Sequence, residues 1–129
     1  MKTLLKFSKQ IAVVLAAVVM ITVTSCHKEG TGGKSSVSGT VKHHSKPIPN
    51  CIVYIKYGTK DFPGTDVSKY DASTVADASA NYSFKDLRKG DYYLYGVGYD
   101  EDIMEAVTGG VGVKLKYNKE TSSDVPVTE

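Results

Sequence analysis

From residue 37 onward the chain never sustains a helical hydrophobic period; apolar and polar residues alternate in short runs broken by Gly, Pro, Asn and Asp. Successive side chains of a strand point to opposite faces, so a two-residue period marks a half-buried strand, whereas an amphipathic helix needs a period of 3.6. The clearest run is Cys51-Ile52-Val53-Tyr54-Ile55-Lys56-Tyr57, which puts Cys51, Val53 and Ile55 on one face and Tyr54 on the other. Runs of this kind at short intervals predict an all-β sandwich. Strands are expected over residues 37–43, 51–57, 73–76, 82–84, 90–99, 111–117 and 123–127. Pro47 and Pro49 exclude a central strand between the first two and leave a turn that Asn50 can finish. Val37, Gly39 and Val41 share a face, as do Tyr92 and Leu94, and Val111, Val113 and Leu115, and these sets are the expected core.

An ordered set of motifs carries a resemblance. Val37-Ser38-Gly39-Thr40-Val41, Lys46-Pro47-Ile48-Pro49-Asn50-Cys51-Ile52-Val53, the stretch 77–84, Leu87 and Gly90-Asp91-Tyr92-Tyr93-Leu94 resemble the carboxypeptidase regulatory-like domain, a seven-stranded transthyretin-like (prealbumin-like) sandwich. The resemblance implies that Gly39 relieves a crowded strand and that a D-x-x-G-x-Y-x-F hairpin leads into a G-x-Y-x-L strand. Here the hairpin reads Asp77-Ala78-Ser79-Ala80-Asn81-Tyr82-Ser83-Phe84. With Ala80 where the glycine belongs, a positive φ at that position costs roughly 1 kcal/mol, unless Asn81 takes the left-handed conformation instead.

The N-terminus is of another kind. Lys2, Lys6 and Lys9 precede an apolar or small run over residues 11–23, in the range of about 10 to 14 residues that suits a signal h-region rather than a spanning helix. Val23-Thr24-Ser25-Cys26 resembles the lipobox of bacterial lipoproteins. That resemblance implies cleavage before Cys26, lipidation of its sulfur, and attachment to the membrane through that lipid. Each buried methylene contributes about 0.8 kcal/mol, so two or three acyl chains anchor durably. Cys26-His27-Lys28-Glu29 partly resembles the export tag of Bacteroidetes surface lipoproteins, with Gly30 where a second acid usually stands. The expected plan is a signal peptide over 1–25, a flexible tether over 26–36 and the sandwich over 37–129, lipid-anchored to the envelope, at the outer membrane, facing the periplasm or the exterior.

Charge and cysteines narrow the function classes. With the three lysines of the signal set aside, 13 of the 16 basic residues remain against all 14 acidic ones. A domain so close to neutrality lacks the basic footprint of a nucleic-acid binder. A lipidated Cys26 leaves Cys51 without a disulfide partner, so Cys51 is expected as a small buried hydrophobe rather than a nucleophile.

No constellation for catalysis emerges. Some transthyretin-like proteins hydrolyse 5-hydroxyisourate with two histidines, an arginine and a Tyr-Arg-Gly-Ser terminus; this chain has Arg88 as its only arginine and ends Val125-Pro126-Val127-Thr128-Glu129. His43 and His44 are adjacent, so on a strand they diverge and cannot chelate one ion without a turn; a solvated turn with no metal is expected. Residues 100–105 hold Asp100, Glu101, Asp102 and Glu105, which suit either a solvated acidic loop or calcium. The glycine-rich stretch 107–113 opens a strand, not a helix, and gives no phosphate site. No cofactor is implied.

Aromatic residues are the remaining candidates. If Tyr92 and Leu94 point inward, Tyr93 and Tyr95 point outward, as does Tyr54, and the three either stack on a ligand or pack against one another. The long connection after Gly58 carries Phe62 beside Pro63-Gly64, as a recognition tip or as a pin for the loop. The expected role is non-catalytic binding or accessory interaction with an envelope protein. A glycan-binding lipoprotein using Tyr54, Phe62, Tyr93 and Tyr95, and a fimbrial-type structural subunit, are the alternatives.

Overall fold

The longest strand, β1 (Thr31–His43), organises one of two sheets. In a computed structural model describing residues 28–129, β1 pairs antiparallel with β2 (Lys46–Pro47) and β5 (Asn81–Leu87). It also pairs in parallel with β8 (Glu120–Ser122) and β9 (Val125–Val127). The second sheet has the order β4 (Ala72–Val75), β3 (Ile52–Tyr57), β6 (Gly90–Asp100), β7 (Glu105–Leu115), all antiparallel. The expected signal segment, with Val23, Thr24 and Ser25, and then Cys26 and His27 lie outside the described residues.

The protein is all-β, with two sheets packed face to face. Val37 and Val41 of β1, Val125 and Val127 of β9, Val53 and Ile55 of β3, Tyr92 and Leu94 of β6 and Val113 and Leu115 of β7 fill the space between them. Fully burying an aliphatic side chain of this size contributes about 1.5–3 kcal/mol, so the two-residue alternation sets both the strands and their inward faces. Cys51 is completely buried among them; its thiol donates to the Ile48 carbonyl at 3.2 Å, and burial pushes its pKa up to about 11.

Among the described residues nine strand segments stand where seven were expected, and the main departures have local causes. β1 begins at Thr31, inside the stretch expected as a tether. Gly30 N–H donates to the Tyr92 hydroxyl at 2.9 Å, Arg88 N–H donates to the Gly30 carbonyl at 2.8 Å, and a Cβ on Gly33 would collide with the Leu87 carbonyl. Small residues serve close backbone approach there, and composition alone does not distinguish that from a linker. The expected last strand, 123–127, begins only at Val125, as β9, and an additional strand, β8, precedes it; between them the Asp124 carboxylate, not a backbone carbonyl, accepts the Thr40 N–H at 3.0 Å. Beside it, the Ser123 carbonyl occupies the space a Cβ on Gly39 would need. β7 starts at Glu105 rather than residue 111, and its glycines are packed: side chains at Gly109 and Gly112 would strike Pro126 and Lys60.

Two contacts fix the end of the sandwich where β1, β6 and β9 finish. Thr108 and Thr128 exchange backbone hydrogen bonds of 2.9 and 2.8 Å, which ties the residue after β9 to β7 and delivers Glu129 beside His43. At the opposite end, residues 28–30 lie on the β5–β6 turn, where Arg88 Nη1 donates to the Lys28 carbonyl at 3.1 Å.

Candidate functional site

The outer face of the β4-β3-β6-β7 sheet is divided in two. Register sets Tyr54 opposite Tyr95 and Lys56 opposite Tyr93 on one part, and Val75, Ile52 and Val97 in a row across the other. Tyr93 and Tyr95 do point away from the core, but they do not form an open platform: they are 9% and 4% exposed. The connection after β3 lies across them. The Phe62 ring centroid stands 5.7 Å from both tyrosine rings, and Tyr70 stacks on Tyr95 at 5.6 Å.

Glycines admit this cover. Gly112 lies on the same face as Gly110, and the Lys60 backbone sits directly over it. Tyr70 donates its hydroxyl to the Gly64 carbonyl at 2.9 Å, and burial beside Tyr93 and Tyr95 pushes its pKa up to about 12. The loop is therefore pinned by aromatic packing, each pair contributing about 0.5–1.5 kcal/mol beyond its area. Phe62 is both pin and surface: one ring face covers the tyrosines while the side chain stays 54% exposed. Tyr54 is half-buried against Tyr70 at 5.9 Å.

The other part of the face has no cover among the described residues. Val75 (64% exposed), Ile52 and Tyr99 continue along the sheet to the β6–β7 turn, where Ile103 and Met104 are also exposed. A recess beside this strip is lined by Lys46, Pro49, Asn50, Ile52, Tyr99 and Asp102. Exposed Glu101, Asp102 and Glu105 rim its end. Alternation in the sequence gives the facing of Ile52, Val75 and Tyr99; which stretch of the face a loop would leave bare depends on the loop's path, which has no periodic signal.

Asp100 departs from the expected solvated acidic loop. It is 2% exposed; Oδ1 accepts from Lys46 Nζ at 2.7 Å and from the Asp102 N–H at 3.0 Å, and Oδ2 lies 2.8 Å from His43 Nδ1. Lys46 and then His43 hold this carboxyl well below the usual carboxylate range. With both oxygens occupied, Asp100 is a structural acceptor rather than a free calcium ligand.

His43 is likewise no solvated turn residue. It is buried at the end of β1, and its other ring nitrogen, Nε2, lies 2.5 Å from Glu129 Oε2. The chain turns at His44, whose φ is +57°, so the two rings do not diverge as on a strand; their centroids are 4.5 Å apart. Opposite this acidic end, a recess of about 400 Å³ is lined by Gly33, Lys34, Arg88, Lys89 and Tyr117, so the recess near residue 28 is basic.

No protein-family model matches this chain, and no curated protein shows significant sequence similarity to it.

Proposed function

We propose that this chain is a non-catalytic binding module that presents an apolar, acid-rimmed sheet face to a protein partner and is carried on the bacterial envelope by lipid at Cys26. The observation that carries this reading is the uncovered strip from Val75 through Ile52 to Tyr99, running on to Ile103 and Met104, on a sheet whose other part is closed by its own loop. Scattered exposed apolar residues are ordinary, but a contiguous strip with a polar rim is the usual mark of an interaction surface. Its flatness suits a protein better than a sugar ring. The rim of Glu101, Asp102 and Glu105 favours a partner with basic residues around an apolar centre. A glycan platform is the weaker alternative, because Tyr93 and Tyr95 lie beneath Phe62 and Tyr70.

Two further observations support the anchored, transthyretin-like reading. Residues 28–30 are tied to the β5–β6 turn, so a lipid on Cys26 brings the end bearing Lys34, Arg88, Lys89 and Tyr117 against the headgroups. Basic residues near an anionic leaflet contribute about 1 kcal/mol each, which favours that orientation and turns the acidic end outward. In the 77–84 hairpin the Asp77 carboxylate accepts the N–H groups of Ser79 and Asn81 at 2.8 and 3.0 Å, a turn compatible with the motif of the carboxypeptidase regulatory-like domain.

The test is cross-linking of the full chain in its native envelope followed by pull-down, in parallel with Val75→Asp, Tyr99→Ala and Cys26→Ala forms. Partners recovered with the parent are expected to be lost with Val75→Asp and Tyr99→Ala. Recovery of the same set with both surface variants overturns the binding face, and recovery of an unchanged amount with Cys26→Ala overturns the role of the anchor.

A further inference from the structure

Where β1 and β9 end together, three groups that bind transition metals converge. His43, His44 and Glu129 each bring a ligand atom to within 4.8 Å of the others. None of the three is placed by chance of a mobile tail: His43 closes β1, His44 follows in the turn to β2, and Glu129 follows the Thr108–Thr128 backbone pair.

His43 is the independent observation. Its side chain is 7% exposed, and Nε2, within that buried ring, has no aligned hydrogen-bond partner among the described residues. An ionised Asp100 can only accept, so Nδ1 carries the proton toward it, and Lys46 holds the same carboxylate from the other oxygen. That fixes the ring orientation and turns Nε2 toward Glu129, whose Oε2 is 2.5 Å away but off the axis of a directed hydrogen bond. At that distance a positive centre belongs between the nitrogen and the carboxylate oxygen: in the metal-free chain it is the proton of a His43–Glu129 ion pair, and an entering divalent ion takes its place and releases it to solvent. The backing of a ligating imidazole by a carboxylate on its far nitrogen is the arrangement that raises ligand basicity in metal sites.

We infer that His43 Nε2, His44 and Glu129 form a binding site for a borderline divalent transition-metal ion of the Zn²⁺ class, with Asp100 as the orienting carboxylate behind His43. Two imidazoles and one carboxylate select such an ion over Ca²⁺ or Mg²⁺, which take oxygen-rich sets. His44 and Glu129 are exposed, so their side chains can close on an ion from the 4.8 Å spread while buried His43 stays fixed. The turn supplies the convergence: His44 sits at φ +57°, a conformation that a residue with a side chain adopts at a cost.

The test is calorimetric titration of the chelator-stripped full chain with Zn²⁺ alone, with Co²⁺ absorption as a second readout. One saturable equivalent and the intense visible bands of a low-symmetry Co²⁺ site are expected. His44→Ala and Glu129→Gln, both at exposed positions, should each weaken binding about tenfold to a hundredfold while circular dichroism stays unchanged, and His27→Ala should bind as the parent does. Absence of saturable binding up to 100-fold excess of Zn²⁺, or undiminished binding by the His44→Ala, Glu129→Gln double variant, overturns the site.

Discussion

His43 Nδ1 and Asp100 Oδ2 stand 2.8 Å apart, one at the end of β1 and the other at the end of β6, so this bond, with that of Lys46 to the same carboxylate, joins the two sheets at their acidic end. The hydrogen bond to Asp100 raises the His43 pKa above its ordinary 6.5, while Lys46 and His43 lower that of Asp100 from its ordinary 3.8. The signs oppose one another. Asp100 contributes stability above its unfolded pKa and loses it as pH falls through its depressed folded value; His43 contributes below about 6.5 and loses it as pH rises through its raised folded value. In chelator, the difference in melting temperature between the parent and His43→Gln is therefore expected to be widest between about pH 4 and 6.5 and to shrink on either side. Thermal denaturation from pH 3 to 9 checks this, and a difference that stays constant from pH 5 to 9 would show that His43 binds its proton no more tightly in the folded chain.

The aromatic cover of Tyr93 and Tyr95 gives a local rather than a global prediction. Phe62 touches both rings while keeping 54% of its own surface in water, so Phe62→Ala removes two aromatic contacts and little buried area. A loss of about 1–2 kcal/mol is expected. Hydrogen exchange should rise at residues 58–71 and in the outward half of β6, with β1 and β5 unchanged; uniform acceleration across all strands would mean that the loop is part of the core rather than a cover.

The two-residue period made the all-β class and the inward faces of β1, β3, β6 and β7 legible, because burial of one sheet face imposes it directly. Cys51, Val53 and Ile55 lie where alternation puts them. Glycine carries two opposite meanings that the sequence does not separate: Gly32 and Gly33 read as part of a tether, and Gly109 and Gly110 fall before the expected strand over 111–117, yet all four lie within strands. The candidate surfaces were half legible. Tyr93 and Tyr95 have the expected facing, but their burial depends on the path of a loop without periodicity. Glu129 meets His43 only through the parallel pairing of β9 with β1, a contact between residues far apart in sequence.

Gly39 tests the crowded crossing between β1 and the β8–β9 junction. A Cβ there would strike the Ser123 carbonyl, a backbone atom already committed to accepting the Tyr82 hydroxyl. Backbone cannot rotate aside as a side chain can, so Gly39→Ala is expected to destabilise the protein by about 1–3 kcal/mol. Gly64→Ala is no clean control, since Gly64 has φ +105° and strain enters there without any collision. Urea denaturation separates the causes: a Gly39→Ala midpoint equal to the parent's would mean that β8 and β9 shift away from β1 without cost.

Left-handed conformations offer the opposite sign, and burial decides between two of them. Ala80 takes φ +65° and Met104 φ +56°, so the hairpin after Asp77 is turned by Ala80 itself and not by Asn81. Replacing either by glycine relieves a left-handed strain of about 1 kcal/mol. Ala80 is fully buried, and loss of its methyl removes about 0.8 kcal/mol of burial; with the unfolded-state entropy of glycine, about 0.4–1 kcal/mol, also counted, Ala80→Gly is expected to destabilise by about 0.2–0.8 kcal/mol. Met104 is 76% exposed and has little packing to lose, so after the greater unfolded-state entropy of glycine, about 0.4–1 kcal/mol, is counted, Met104→Gly should leave the protein as stable as the parent or stabilise it by up to about 0.6 kcal/mol. The same substitution removes an apolar side chain from the end of the exposed strip. If that strip is the partner face, Met104→Gly yields a protein of undiminished stability that binds more weakly, a combination that loss of folding cannot produce.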